Sequence, residues 1–342
     1  MAVNYPRLDN ASGIWTMKEV EEAVKGGYWP NAGARGVFGG SLSPSEVNTI
    51  DYVTIATTGD AADFGDLTDA RGYMTSGCIP SNFIRCMWGG GDANNITNII
   101  DYVTILTTGN AADFGDLTQG RYGIFSASNS VRGIWAGGNA YPSPGNTDIL
   151  DYVQMASLGN AADFGNLLAI ANYGGMVASP TRAVAAGGTS GSIQNVIQHV
   201  TIASTGNTQD FGDLTAVRRS MGGTSSSTRG VFGGGYLSSN ATPNTIAEYI
   251  TIASTGNGID YGDLTTARQT PGATSSSVRG IWAGGQLADP SPMTNIIDYL
   301  AIPTGGNATD FGDLTTSRGW VGGGSNAHGG LADGNQGVVN TS

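Results

Sequence analysis

Basic side chains are scarce in this chain of 342 residues. Lysine occurs only at Lys18 and Lys25, and the formal net charge at pH 7 is -12. A surface that binds nucleic acid needs clustered cations to meet the phosphates, and an anionic membrane repels a chain of this charge. The composition therefore predicts that nucleic acid is not a partner.

Histidine and cysteine are also scarce, with two residues of each type. His199 falls in a strand pattern where other copies have tyrosine, which indicates a structural role. His328 lies in a glycine-rich tail, where we expect it to be solvated. Zinc and copper sites draw on several His or Cys ligands, so we predict no metal site and no cofactor. Cys78 and Cys86 flank one predicted hairpin, and both a disulfide and two free thiols fit the sequence.

A unique catalytic constellation is missing as well. Carboxylate pairs are plentiful, but they recur in successive copies of a repeat, whereas an active site needs one environment that separates two pKa values. No G-x-S-x-G elbow marks a nucleophilic serine. There is no apolar run of membrane-spanning length and no charged-then-apolar leader, so we expect neither a membrane span nor a secretory signal. These absences predict a protein without catalytic residues.

A repeated unit dominates what is present. Residues 229–264 are one copy, and its glycine-rich opening and DFGDL-like ending return at intervals of 50 or 47 residues. A fixed period of this size is typical of repeat proteins whose units bury their apolar faces against each other. The openings begin at Arg35, Arg85, Arg132, Arg182, Arg229 and Arg279, and the endings at Asp63, Asp113, Asp163, Asp210, Asp260 and Asp310.

Each copy reads as four short strands. In the copy that begins at Arg229, a strand ending in Gly-Gly is followed by a variable loop and by the β-branched stretch 245–254. A third strand starts at Tyr261, and residues 268–275 form a fourth strand of small side chains. Four strands in a period of this length suit one blade of a β-propeller.

The order of these strands resembles a kelch repeat, although Asp51-Tyr52 and its equivalents reverse the usual kelch order. The resemblance implies an all-β fold, a six-bladed kelch-like β-propeller with four strands per blade. Residues 317–325 would supply the strand that the first blade lacks and close the ring, which removes two exposed sheet edges. The predicted organisation is an N-terminal helical attachment segment (1–34), the propeller (35–325) and a glycine-rich C-terminal tail (326–342).

The N-terminal segment carries helix signals over residues 14–27. Thr16 is a good N-cap with Glu19 three positions later, and two glycines end the pattern. The segment either docks on a larger assembly or pads the domain that follows it. For docking, aromatic side chains are favoured interface anchors, and the predicted partner-binding residues are Trp15, Val20, Tyr28 and Trp29.

Most charges are phased with the repeat. A group that occurs once per copy suits a joint between blades, in which arginine forks bind carboxylates or turn carbonyls. The alternative is calcium, for instance at Asn110, Asp113 and Asp116, although the spacing is not that of an EF-hand loop. One arginine set is the openings given above, and the second is Arg71, Arg121, Arg218, Arg268 and Arg318, with Ala171 as its gap. The phased acids fall into three sets. The first set consists of the aspartates that begin the endings given above, and the second is Asp66, Asp116, Asp213, Asp263 and Asp313. The third is Asp51, Asp101, Asp151, Glu248 and Asp298.

The copies differ most in the loop that follows each glycine-rich strand. These loops should emerge on one face of the ring, and loops on a rigid scaffold commonly carry binding residues. Plain solvated loops are the alternative. The predicted ligand-binding residues are Tyr141, Pro142, Tyr236, Asn240, Pro290 and Pro292.

Residues 11–30, together with the RGVFGGG and DFGDLT repeats, resemble virion structural proteins of tailed phages, notably those of marine bacteria and cyanobacteria. The resemblance implies a non-enzymatic component of the extracellular particle, a tail-fibre or baseplate adhesin. It implies contacts with other virion proteins through the N-terminal segment, a host-surface glycan or protein as ligand, and a homo-oligomer or larger assembly. Two alternatives remain: a structural or decorating subunit without a receptor, and a carbohydrate-active propeller enzyme, which the missing acid/base pair disfavours.

Overall fold

The structure, a computed structural model, describes residues 34–331 apart from 43–44, 75–76, 93–94, 141–144, 238–242 and 289–291. In these residues every regular element is a β-strand, which confirms the all-β prediction. None of them forms a helix of the length and apolarity needed to cross a bilayer. The helix predicted over 14–27 lies outside the described residues.

The strands follow the repeat along the chain. The first copies give β1 (Arg35–Leu42), β2 (Glu46–Thr54), β3 (Ala62–Asp66), β4 (Gly77–Cys78), β5 (Arg85–Gly89), β6 (Ile99–Thr104) and β7 (Ala112–Asp116). The next give β8 (Arg121–Tyr122), β9 (Phe125–Ser128), β10 (Arg132–Ala136), β11 (Asn139–Ala140), β12 (Gly145–Asn146), β13 (Ile149–Gln154) and β14 (Ala162–Asn166).

The later copies continue the series. They give β15 (Gly175–Ala178), β16 (Arg182–Ala186), β17 (Thr189–Ser190), β18 (Ser192–Ile193), β19 (Val196–Thr201) and β20 (Gln209–Asp213). Then follow β21 (Gly222–Ser225), β22 (Arg229–Gly233), β23 (Asn244–Thr251), β24 (Ile259–Arg268), β25 (Gly272–Ser275), β26 (Arg279–Ala283), β27 (Ile296–Ala301), β28 (Thr309–Asp313) and β29 (Gly322–Ser325).

Four antiparallel strands, in the order inner, glycine, tyrosine and outer, make up a typical sheet. The main sheets are numbered along the chain: I (β1–β3 with β29), II (β5–β7), III (β9, β10, β13, β14), IV (β15, β16, β19, β20), V (β21–β24) and VI (β25–β28). The predicted four short strands per repeat are thus confirmed for sheets III to VI. Sheet I takes its inner strand, β29, from the far end of the chain: Gly36 pairs with Ser325 and Gly39 with Gly322.

Sheet II departs from the pattern because its inner strand has moved away. Strand β4 pairs in parallel with β29, with Gly77 beside Gly322, and contacts the inner strands β9, β15, β21 and β25 as well. It therefore lies among the other inner strands, on the axis they surround. The predicted hairpin is nevertheless present in a shortened form, since Ser81 pairs with Cys86 and the Met87 amide donates to the Pro80 carbonyl oxygen at 2.9 Å, whereas Cys78 lies on β4, outside that pairing. Gly77 permits the position, since a Cβ there would lie 3.2 Å from the Met221 carbonyl oxygen.

Apolar clusters lie between consecutive sheets rather than within one sheet. Phe64 and Leu67 of the first repeat pack with Trp88 and Val103 of the second. The glycine strands make room for these large side chains: a Cβ on Gly39 would lie 2.7 Å from the Trp88 ring. Burial of such side chains against a neighbouring sheet is the main driving force for stacking the repeats.

The strands alternate in direction, so each end of a sheet carries its own connections. Hairpins between inner and glycine strands, and turns between tyrosine and outer strands, emerge at one end, which we call the turn face. Loops between glycine and tyrosine strands, and connections from an outer strand to the next inner strand, emerge at the other end, the loop face. The described ends of the variable loops thus lie at the loop face.

Residues 326–331 cover the axis at the turn face. The Gly329 amide donates to the Ser225 carbonyl oxygen at 2.9 Å, and a Cβ on Gly330 would lie 1.8 Å from the Ser128 carbonyl oxygen. Only glycine tolerates so close an approach of two backbones. This part of the predicted tail is therefore packed against the ends of the inner strands.

Candidate functional site

The second arginine set forms buried joints between sheets. Arg121 binds the Asp151 carboxylate at 2.6 Å, with both side chains 0% exposed, and its Nη1 donates to the carbonyl oxygens of Gly137 and Ile149. Burial lowers the pKa of the Arg121 guanidinium, and Asp151 opposes that shift. The predicted role as a joint is confirmed for the pairs Arg71–Asp101, Arg121–Asp151, Arg218–Glu248, Arg268–Asp298 and Arg318–Asp51.

The gap in this set has a matched replacement. Where arginine is missing, at Ala171, the partner acid is also missing, and Gln198 stands in its place. The Gln198 amide oxygen accepts hydrogen bonds from the Leu168 amide and the Thr208 hydroxyl. One sheet thus replaces the ion pair by neutral groups, as expected if an unpaired buried charge is costly.

The first arginine set lies on the turn face and connects each sheet to the next. Arg132 packs over the Tyr152 ring at 4.8 Å and donates to the Ile202 carbonyl oxygen at 2.9 Å. The predicted capping of turns between repeats is confirmed here. The bonds run from Arg35 to Ile105, Arg85 to Met155, Arg132 to Ile202, Arg182 to Ile252, Arg229 to Ile302 and Arg279 to Ile55.

The outer-strand acids do not form the expected ion pairs. Asp63 and its equivalents are exposed, and they form no ion pair with another described residue. Of the residues considered for calcium, Asn110 accepts the Asp66 amide of the preceding repeat at 3.1 Å. Asn110 therefore joins two outer segments, while Asp113 faces solvent.

The two histidines differ in how well the sequence predicted them. His199 packs edge-on against Phe211 at 5.7 Å, as Tyr152 packs against Phe164, so the predicted structural substitution is confirmed. The expected solvation of His328 is wrong, because this residue is 2% exposed. Its Nε2 donates to the Ser81 carbonyl oxygen at 2.7 Å and its Nδ1 accepts the Gly330 amide. The ring is thus held in one neutral tautomer.

Both cysteines are free thiols, which decides between the two possibilities left by the sequence. Burial raises the pKa of Cys86 well above its ordinary value and that of Cys78 to about 12. Thiolate is the reactive form, so neither residue has the character of a nucleophile.

Most of the predicted contact residues cannot be placed. Trp15, Val20, Tyr28 and Trp29, and also Tyr141, Pro142, Asn240 and Pro290, lie outside the described residues. Pro292 is exposed on the loop face, whereas Tyr236 is buried beneath Arg219, whose guanidinium lies 4.6 Å from the ring centre. Their predicted role in ligand binding stays a prediction.

The most distinctive site lies where the axis opens on the loop face. Just before each inner strand, one residue adopts a left-handed backbone conformation, and the amide of each of them except the first, Tyr73, donates to the carbonyl oxygen of the one before it. These five bonds, 2.6 to 3.1 Å long, link the residues in series from Tyr73 to Trp320 around the axis. We call this belt the axial mouth; its residues are Tyr73, Gly123, Tyr173, Ser220, Thr270 and Trp320.

Aromatic side chains occupy one side of the axial mouth. Tyr73 lies edge-on to Trp320, with ring centres 5.0 Å apart, and to Tyr122 at 6.0 Å. Tyr122 and Tyr173 follow at 6.4 Å, and all four side chains are partly exposed. Arg219 adjoins them, 5.9 Å from the Tyr173 ring. The repeats thus form one aromatic site together, to which only some of the copies contribute an aromatic side chain.

Sequence reasoning missed this site, although a signal was present. The residue two places after the second-set arginine, or its Ala171 equivalent, is aromatic in Tyr73, Tyr173 and Trp320 but small in Ser220 and Thr270. The short connections between repeats diverge as well.

Comparison of the sequence with models of protein families found no match, and a search among curated proteins found no relative. The site is therefore interpreted from its own geometry.

Proposed function

We propose that sheets I to VI are the blades of a six-bladed, kelch-like propeller that β29 closes. We further propose that the protein is a non-enzymatic component of a phage virion, a tail-fibre or baseplate adhesin. Its loop face would contact the host surface, and residues 1–34 would contact other virion proteins. The resemblance of the repeats and of residues 11–30 to phage virion proteins supports the particle assignment.

The closed ring is supported by contacts that join the last sheet to the first. Arg279 of sheet VI donates to the Ile55 carbonyl oxygen of sheet I, as Arg35 does to that of Ile105 in sheet II. Phe38 and Val53 of sheet I pack with Ile281 and Phe311 of sheet VI. Closure of this kind protects sheet edges from pairing with other chains.

The observation that carries the adhesin proposal is the polarity of the domain. The carbonyl oxygen of Ala34, the first described residue, accepts the Ile55 amide at 2.8 Å and therefore lies on the turn face. The variable loops and the aromatic residues of the axial mouth lie on the loop face. An attachment segment that enters on one face leaves the opposite face free for a ligand.

Competition for host cells tests the proposal. Purified protein at saturating concentration should block adsorption of the phage that encodes it, and protein lacking residues 1–30 should block equally well. Virions produced with the truncated gene should lack the protein, as seen by immunogold labelling. Labelling of particles without any block of adsorption would instead identify a structural or decorating subunit, and absence from particles would reject the virion assignment.

A further inference from the structure

We infer that the aromatic side of the axial mouth is a binding site for a neutral saccharide, with Tyr73, Tyr122 and Trp320 as its platform. The inference rests on the proposed function, because it names the class of ligand that the loop face would recognise. Aromatic residues combine an apolar surface with a polar edge, which suits a ligand that presents both C–H groups and hydroxyls.

Backbone strain is the first argument. Tyr73 has φ 50°, Tyr173 φ 56° and Trp320 φ 54°, in a region that bulky side chains rarely adopt. Gly123 occupies the equivalent place with φ 63°, so the fold accepts glycine there without that strain. Aromatic residues at strained positions, converging on one opening, indicate side chains held for a ligand rather than for the backbone.

The spacing of the rings selects the kind of ligand. Centre-to-centre distances of 5.0 to 6.4 Å mean that the rings touch each other and leave no gap for a cation between them. Neighbouring rings are inclined to each other by 60 to 63°, so they form a corrugated aromatic surface, and the C–H face of a sugar ring can stack on the exposed face of one ring while the edges of its neighbours flank it. An aromatic cage for a quaternary ammonium group would need rings spread around the ion.

The surrounding charge and polar groups agree with an uncharged, hydroxyl-rich ligand. Burial, Asp92 and Glu46 raise the pKa of Tyr73, which keeps its phenol protonated as a hydrogen-bond donor. These carboxylates and the net charge of -12 disfavour nucleic acid, the other common partner of aromatic platforms.

Unpaired polar atoms lie beside the aromatic residues. Arg219, in contact with Tyr173, has a buried Nε without a hydrogen-bond partner. Asn172, the neighbour of Tyr173, is 7% exposed and has an unpaired Oδ1. These atoms give the aromatic residues a polar surrounding on the side away from solvent.

A microbial glycan array, followed by titration calorimetry on the strongest hit, tests the inference with the full-length protein. Tyr73→Gly should weaken binding by at least about ten-fold, and Trp320→Gly similarly, because each removes platform surface. Ser220→Gly and Thr270→Gly are matched controls, since they change the same left-handed position on the other side of the mouth. Both controls should stay within about two-fold of the wild type.

Thermal unfolding of each variant separates a lost site from a lost fold. Glycine fits the left-handed backbone, so we expect Tyr73→Gly to keep cooperative unfolding. No binding to any glycan by the wild type would overturn the inference, and so would unchanged affinity in Tyr73→Gly. If the glycans bind as expected but the protein does not block adsorption, the proposed function fails and the inference stands. If Tyr73→Gly binds glycans as tightly as the wild type and also blocks adsorption equally well, the inference fails and the proposed function stands.

Discussion

The backbone amide of Arg35 donates a 2.8 Å hydrogen bond to Oδ1 of Asn326, 291 positions later in the chain. Within single hairpins the same bond joins Arg85 to Asn82 and Arg132 to Asn129. The two ends of the repeat array therefore meet through the contact that elsewhere closes a covalent hairpin. This equivalence is the local basis of the proposed closed ring.

Shortening the chain tests how far the C-terminal strand holds this junction. Relative to a chain ending at residue 331, a chain ending at 325 loses buried Ala327 and Leu331, which costs about 1.5–3 kcal/mol for the leucine alone. A chain ending at 321 also loses β29 and exposes the edge of β1, so we expect aggregation. Thermal unfolding and light scattering measure both effects. Equal stability of all three chains would contradict the pairing of β1 with β29 as a stabilising contact.

The buried ion pairs should be replaceable only as pairs. Arg121→Ala leaves the Asp151 carboxylate buried without its cation, and we expect a loss of about 3–5 kcal/mol in the free energy of unfolding. The double variant Arg121→Ala/Asp151→Gln copies the natural Ala171 and Gln198 arrangement and should recover most of that loss. Urea denaturation measures both. A double variant as unstable as the single one would show that the charge itself is not the cause.

The glycine strands should tolerate no side chain where a tryptophan packs on them. A Cβ on Gly233 would lie 2.7 Å from the Trp282 ring, so Gly233→Ala should destabilise the protein by about 1–3 kcal/mol. Gly256→Ala is the matched control, because a Cβ there meets nothing within 4 Å and the backbone is not left-handed. We expect the control to change stability by less than about 0.5 kcal/mol in the same denaturation assay. A similar cost for both variants would argue against the packing explanation.

Acid should weaken the packing of residues 326–331 on the turn face, because it protonates the buried His328. Burial lowers the pKa of His328 from 6.5 to about 4, so the unfolded state binds a proton more readily than the folded state. The contribution of neutral His328 to the free energy of unfolding is therefore fully present above about pH 6.5 and decreases as the pH falls toward 4. The full difference between the two limits is about 3 kcal/mol. The measurement is the free energy of unfolding at pH 7 and pH 4.5 for wild type and His328→Asn. A pH dependence that is identical in both proteins would exclude His328 as its source.

The repeat pattern was sufficient to predict the strands and most of the joints. The spacing of Arg121 and Asp151 recurs in other copies, and a buried charge must find its partner within the neighbouring repeat. The β-branched stretch 245–254 likewise predicts a strand on its own, and the strand β23 covers most of it. Such features depend on residues that are close in the chain or related by the period.

The tertiary structure alone decided where the repeat is broken. Strand β4 leaves its own sheet for the axis because five other inner strands offer it backbone contacts there, which no single copy shows. His328 is buried only because the last turn meets the ends of distant inner strands. Tyr73 and Trp320 come together for the same reason: their copies are neighbours in space but far apart in sequence. The periodic sequence determines each sheet, whereas contacts between the first, second and last copies decide the axis and its mouth.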